Sequence, residues 1–316
     1  MVQLTINGKP VQAKKGTMLI EVCRDHGIDI PALCYDKNLP LDGSCRMCLV
    51  EIKGHHGLDT SCSTAVKEGM VVETESPDVV KTRKNLLRLY LDNHPNDCLT
   101  CEAAGDCLLQ EYAYRYDVKF REHEGARRGT GEAGWTDTSS PYILRDESKC
   151  ILCGKCVRTC AAIPDRAVLG YAGRGFETQI SADSNQTLEE STCVSCNRCV
   201  VICPVGALID RRSYEARIRS WEGTHTIVKC KSCDYGCNFD ILEKKGRRVA
   251  RPRKPTNGRP LCLKGRLFTE ARYNTDLPKA FIKEETPEGR RFKEVTWPEA
   301  LEIEDLLARF DTKQGE

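Results

Sequence analysis

The sequence predicts an α+β chain built from several small modules, each closed around its own metal group, rather than one large core. Three observations carry this expectation. Twenty cysteines in 316 residues fall into groups with metal-ligand spacing. The first residues alternate apolar and polar about an Asn-Gly pair, as a β-hairpin does. Residues 76–93 repeat apolar side chains at helical intervals. Length alone suggests about two domains, but metal–ligand bonds keep units folded that are too small to hold a core of their own.

Residues 1–75 read as a β-rich domain. Val2, Leu4 and Ile6 alternate, Asn7-Gly8 turns the chain, and Val11 lies on the return strand. Thr17 is placed to cap a short helix carrying Leu19, Val22 and Cys23, with Gly27 at its end. Then come Cys34, Cys45, Cys48 and Cys62, spaced x10, x2 and x13. Four thiolates from one loop system suit a [2Fe–2S] centre, related to the plant type but with a wider first gap and a shorter last one. Gly43 and Ser44 let the backbone come close to it. Cys23, on the apolar helix face, is a buried small hydrophobe.

Residues 76–120 form the next unit. Ser76-Pro77 opens an amphipathic helix with Val79, Val80, Leu86, Leu87, Tyr90 and Leu91 on its apolar side. The helix delivers the chain to His94, followed by Cys98, Cys101 and Cys107 in the pattern H-x3-C-x2-C-x5-C. Three cysteines are one ligand short of a cubane, and His94 supplies the fourth. His26, His55, His56, His123 and His225 are read as structural or exposed. Residues 118–140 are polar and glycine-rich, a linker or surface loop.

Residues 141–210 carry C-x2-C-x2-C-x3-C twice: Cys150, Cys153, Cys156, Cys160 and then Cys193, Cys196, Cys199, Cys203. In such a two-cluster module three close cysteines cap three irons, and the fourth closes the neighbouring cluster. The expected sets are therefore crossed, with Cys203 joining Cys150, Cys153 and Cys156, and Cys160 joining Cys193, Cys196 and Cys199. Pro204 follows the last cysteine, whereas Ala161 stands where the first run would carry its proline. Residues 161–192 read as a loop-rich β excursion.

Residues 224–275 hold the last group, Cys230, Cys233, Cys237 and Cys262, as C-x2-C-x3-C-x24-C. It suits a further cubane. Between its third and fourth members lies GRRVARPRKPTNGRP, basic throughout: a solvated hairpin, or a surface for phosphates or an acidic partner. Residues 276–316 are expected as a C-terminal tail in which Trp297-Pro298 starts a helix.

These groups use nineteen of the twenty cysteines and one histidine, giving one [2Fe–2S] and four [4Fe–4S] clusters. Zinc is the competing occupant, but zinc sites pair two C-x2-C knuckles rather than running three cysteines together. No P-loop, G-x-S-x-G or strand-borne G-x-G-x-x-G is present, so electron conduction is the economical reading. A net charge of +2 gives no case for nucleic acid. No apolar run nears the roughly 18 residues of a membrane span, and the first residues lack a signal-peptide pattern. A soluble, cytoplasmic protein is expected, in a setting where dense cysteine means metal rather than disulfide.

The words IPALCYDKNLPLDGSCRMCLVEIKG, HPNDCLTCEAAGDCLLQEYAYRY, and the run from YILRD through CILCGKCVRTC to CVSCNRCVVICPVGAL cover residues 1–210. Their order resembles the N-terminal part of iron-only hydrogenases, NAD-linked formate dehydrogenase large subunits and the large iron–sulphur subunit of complex I. The resemblance implies a β-grasp [2Fe–2S] domain, a helical module with one histidine and three cysteine ligands, and a bacterial ferredoxin-like module. It also implies partners: an NAD(P)H-binding flavoprotein subunit, a small [2Fe–2S] subunit, and ferredoxin or a formate dehydrogenase- or hydrogenase-type catalytic subunit. Both tandem clusters are intact, whereas complex I subunits retain one, which brings formate dehydrogenases and hydrogenases closer. The final group, KCKSCDYGCNFDI to GRPLCLKGR, is similar to the cluster-binding entry of molybdopterin oxidoreductases, where the lysine matching Lys264 lies between cluster and pterin. FKEVTWPEAL resembles the first words of the catalytic domain there, and then the sequence ends. The expected function is an iron–sulphur electron-transfer subunit, with part of a molybdopterin-dependent formate dehydrogenase, or a zinc-bearing binding module, as alternatives.

Overall fold

The computed structural model describes residues 1–95, 97–119, 121, 123, 125, 136–163, 167–253 and 261–304. Most of the expected linker, and residues 254–260 of the basic stretch, lie outside these. The fold is α+β with small separate sheets. β1 (Val2–Ile6) and β2 (Lys9–Ala13) pair antiparallel through Asn7-Gly8, both of which take positive φ, as a two-residue hairpin turn requires. β3 (Leu49–Ile52), β4 (Leu58–Thr60) and β5 (Val71–Glu73) complete a five-stranded sheet in the order β2-β1-β5-β3-β4, with β5 parallel to β1. Helix α1 (Leu19–Asp25) buries Leu19, Ile20, Val22 and Cys23 in the same core as the inward strand residues. Met18 rather than Thr17 is its N-cap, and no side chain caps it. The Thr17 carbonyl instead accepts from Val66 N. Its end is as expected: Gly27 is left-handed, and Gly27 N and Ile28 N bond back to Arg24 O and Cys23 O.

Helix α2 (Pro77–Asn93) is capped by Ser76 Oγ, which accepts from Val79 N, and is followed by α3 (Leu108–Arg115). Arg83 of α2 is fully buried and fastens this unit to the first sheet. It donates to Met47 O (3.0 Å), Leu49 O (2.6 Å), Glu75 (2.7 Å) and the Tyr116 hydroxyl (2.6 Å). A buried charge with this many partners persists because leaving any donor unpaired costs more than the bond itself gains.

The tandem-cysteine region builds β6 (Thr136–Asp137), β7 (Ile143–Asp146), helix α4 (Lys155–Ala161), the hairpin β8 (Leu169–Ala172) and β9 (Gln179–Ala182), helix α5 (Arg198–Ile202), β10 (Leu208–Asp210) and helix α6 (Arg211–Ala216). The order β10-β7-β6 forms one sheet, and β8 with β9 is the excursion expected between the two cysteine runs.

Next come β11 (Thr224–Lys229), β12 (Asn238–Lys244) and β13 (Arg247–Pro252), an antiparallel sheet, and helix α7 (Leu263–Tyr273). The described part of the expected tail forms β14 (Ala280–Thr286), β15 (Gly289–Val295) and helix α8 (Trp297–Leu301). Ala280, Val295 and Ala300 join the core of the tandem-cysteine region. The Tyr142 hydroxyl donates to Phe281 O (2.6 Å) across 139 residues.

His225 on β11 is bonded at both ring nitrogens, Nδ1 to the Asp240 carboxylate (2.8 Å) and Nε2 to Ser220 O (2.7 Å). Both partners are acceptors, so the arrangement needs the protonated ring. The Asp240 bond raises its pKa above the ordinary value of about 6.5, against partial burial and against Arg251 facing it from β13. For a raised pKa the stabilisation is complete below about pH 6.5 and is lost as pH climbs through the raised value. The denaturation midpoint should therefore fall across that window in the parent chain, and His225→Gln should flatten this part of the profile.

Candidate metal centres

Cys34, Cys45, Cys48 and Cys62 are all buried. They meet as two pairs: Cys34 with Cys45 and Cys48 with Cys62 are in hydrogen-bond contact through sulphur. Within each pair one thiol is held down in pKa by its partner's S–H while the other is pushed up. Two thiolates per iron is what a two-iron rhomb asks for.

His94, at the C-terminal end of α2, is buried, with Nδ1 bonded to Pro95 O (3.0 Å). That bond fixes the proton on Nδ1, and burial holds the ring pKa below the usual range, so the imidazole is neutral. Its Nε2 is buried and, among the described residues, has no hydrogen-bond partner. An orphaned lone pair in this setting fits an iron or another metal. His94, Cys98 and Cys107 line one cavity, and the charge of Cys101 reaches both cysteines. A Cβ on Gly206 would stand 2.9 Å from Cys101 Sγ and 3.2 Å from Ala103 Cβ, so any larger residue there would press on that sulphur.

Cys150, Cys153, Cys156 and Cys203 line a single small cavity with Pro204, Val205, Ala207 and Leu208. Cys160 lies within the field of Cys193, Cys196 and Cys199. The two loops repeat each other. Leu152 and Gly154 in one, Ser195 and Asn197 in the other, take positive φ, and Leu152 N and Ser195 N each donate to the first sulphur of their run at 3.4 Å. Turns of this kind aim successive N–H groups into one concavity, where they stabilise negative sulphur. Burial pushes Cys193 up to about 11 and Cys153 up to about 12. These groups are thiols before loading, and metal binding releases their protons.

In the last group Cys237 lies within reach of Cys230, Cys233 and Cys262. Ser232 N donates to Cys230 Sγ (3.4 Å) and Gly265 N to Cys262 Sγ (3.2 Å), the latter at the start of α7. A Cβ on Gly265 would sit 3.1 Å from Cys230 Sγ and 3.2 Å from Cys262 Sγ, a cradle kept open between the two sulphurs. Lys264 is half-exposed and paired with Glu302 just after α8.

The groups adjoin one another. Cys34, Cys45, Cys107, Cys150, Cys153 and Cys203 pack in one cluster, and Cys150, Cys156, Cys160, Cys193, Cys199 and Cys203 in the neighbouring one. The last module is stapled to the His94 unit by Trp221 Nε1 donating to Ala104 O (2.9 Å), Arg219 donating to Leu99 O (2.9 Å) and the Arg251–Asp106 ion pair (3.5 Å). Sequence reasoning missed a buried ionic group between the tandem module and α7. There Arg266 contacts Asp210 and Glu270 (both 2.7 Å), with Arg212 3.9 Å from Glu270. The only local signal was Arg266 and Glu270 at helical i,i+4 spacing.

Three family models match: a 2Fe-2S iron-sulfur cluster binding domain over residues 1–77, the NADH-ubiquinone oxidoreductase-G iron-sulfur binding region over 83–122, and the ferredoxin-like domain of NADH-quinone oxidoreductase subunit 3 over 140–209. The chain is 35% identical over 269 residues to NADPH-Fe(3+) oxidoreductase subunit alpha of Geobacter sulfurreducens, covering 84% of this chain and 31% of that protein. It is 37% identical over 235 residues to the mitochondrial NADH-ubiquinone oxidoreductase 78 kDa subunit of Neurospora crassa, covering 74% and 30%. The chain thus spans about a third of the length of these relatives. A crystal structure of an NAD+-reducing [NiFe]-hydrogenase in the H2-reduced state superposes with a TM-score of 0.61 at 29% identity, covering 66% of this chain and 87% of that one.

Proposed function

From the premise that residues 1–209 carry the N-terminal iron–sulphur region shared by the large iron–sulphur subunit of complex I and NADH-dependent hydrogenase-type proteins, we propose that this chain is the electron-transfer subunit of an NAD(P)H-linked oxidoreductase complex. The observation that carries the proposal is adjacency: Cys34, Cys45, Cys107, Cys150, Cys153 and Cys203 share one packed cluster, and Cys150, Cys156, Cys160, Cys193, Cys199 and Cys203 share the next. We assign the five units as 1–75, 76–120, 141–210, 224–275 and 276–316. Cys34, Cys45, Cys48 and Cys62 hold a [2Fe–2S] cluster. His94 with Cys98, Cys101 and Cys107, the two crossed tandem sets, and Cys230, Cys233, Cys237 and Cys262 each hold a [4Fe–4S] cluster. Clusters bound there supply one-electron carriers. The chain's own part is to present thiolates, to donate N–H groups from Leu152, Ser195, Ser232 and Gly265 to sulphur, and to exclude water with Ile151, Val205 and Leu208 around the first tandem set.

The partners follow from the same reading: a flavoprotein subunit that handles NAD(P)H, with its small [2Fe–2S] subunit, on one side, and ferredoxin or a formate dehydrogenase- or hydrogenase-type subunit on the other. Cytoplasmic placement belongs to the proposal too, and among the described residues no helix is long and apolar enough to cross a membrane. A molybdopterin-dependent formate dehydrogenase is the second reading, resting on Lys264. The Lys264–Glu302 pair weighs against it, because it already answers that ammonium from within the chain. Anaerobic reconstitution with iron and sulphide, followed by EPR during reductive titration, tests the assignment. Five reducible centres are expected; fewer than four distinguishable ones, or a colourless protein with stoichiometric zinc, overturns it.

A further inference from the structure

Lys283 lies on β14, far in sequence from every cysteine, yet its ammonium enters the loop that opens the second tandem run. Nζ donates to Leu188 O (2.7 Å), Ser191 O (2.7 Å) and Cys193 O (3.0 Å). Three carbonyl acceptors take three N–H donors, which only the protonated amine has. The Phe292 ring, from the facing strand, packs 5.1 Å from Nζ. The same hairpin is anchored to this loop a second time by Phe292 N donating to Glu189 (2.8 Å). Lys149, near Cys101, presents a contrast: Asp97 (3.3 Å) and Asp146 (3.1 Å) answer its charge. Among the described residues no carboxylate is within ion-pairing distance of Lys283. Burial pulls its pKa below the ordinary lysine value, and the charges that reach it are Cys193, Glu189 and Asp183 on one side and Arg290 on the other.

We propose that Lys283 is a positioning residue that pins one positive charge beside the centre held by Cys193, Cys196, Cys199 and Cys160, and so makes that centre easier to reduce than it would be without the charge. The inference rests on the iron–sulphur reading above. Adding an electron makes a cluster more negative, and a fixed cation held out of bulk water favours that state through a short, weakly screened Coulomb interaction. The ferredoxin-like module and the C-terminal hairpin are thereby linked in function as well as in packing.

The test uses the full chain, reconstituted anaerobically and titrated potentiometrically with EPR detection. Lys283→Met and Lys283→Gln should each lower the reduced-to-oxidised ratio of one tandem centre about tenfold at fixed poise, which is about 59 mV for a one-electron couple. Lys283→Arg should hold it near the parent value, and the other centres should not move. An unshifted midpoint in both neutral variants overturns the proposal. So does an equal shift in the arginine variant, or loss of that centre from both neutral variants, which would make the lysine a structural clamp. In each case the other centres still titrate and the relay reading stands, whereas a parent chain without reducible centres removes the relay itself.

Discussion

Replacing Arg266 by methionine is expected to destabilise the chain by about 3–5 kcal/mol, the cost of stranding buried charges whose partner has gone. Arg266, Asp210 and Glu270 are all buried. The guanidinium sits between the two carboxylates and 5.2 Å from the centre of the Tyr142 ring. Asp210 has a second task, capping α6 through Ser213 N (2.9 Å), and it also accepts from Asn197 Nδ2 (3.1 Å). Loss of Arg266 therefore disturbs the loop that carries Cys196 as well as the helix that begins at Cys262. Urea titration of the reconstituted chain is the measurement, with the midpoint falling and the slope unchanged. Replacing Arg266 and Glu270 together by apolar residues should recover part of the loss, because it removes one of the stranded carboxylates. A drop under about 1 kcal/mol in the single variant would mean that water reaches this site and that the modules are not locked here.

What the sequence made legible, and what it hid, divides along a physical line. Ligand spacing is legible because a cage of fixed size tolerates few loop lengths, so the x2, x2 and x3 gaps mark the two runs within Cys150 to Cys203 from the sequence alone. The Asn7-Gly8 turn and the Ser76-Pro77 helix start are equally local, and both appear where expected. The helix starts one position after the cap that Thr17 suggests: the Thr17 carbonyl is taken by Val66 N, and Met18, a poor N-cap residue, holds the cap position without a side-chain bond. The hairpin β14–β15 was read as tail. Its strands bury only Ala280 and Val295 fully, so no period-2 pattern marks them. They are held by Tyr142, Lys283 and Glu189, partners about 90 to 140 residues apart in sequence. Long-range polar anchors leave no periodic trace.

The proposed crossing of the ligand sets leads to the other large effect. Cys203→Ala should empty the centre built on Cys150, Cys153 and Cys156, and Cys160→Ala the one built on Cys193, Cys196 and Cys199. Each variant should lose one cluster's worth of iron and part of its folding free energy, since metal binding and folding are coupled in modules this small. Iron content alone does not tell crossed from uncrossed sets, because both lose one cluster. Lys283 breaks the tie, since its ammonium is bonded to Cys193 O and, among the described residues, to nothing in the first run. If the sets are crossed, Cys203→Ala keeps the centre whose midpoint responds to Lys283→Met, and Cys160→Ala loses it. Uncrossed sets reverse the result, with the responsive centre vanishing along with Cys203. The cavity shared by Cys150, Cys153, Cys156 and Cys203 favours the first outcome. It requires that each short helix, α4 and α5, begin at one centre and end at the other, so neither half of the module can load fully without its neighbour.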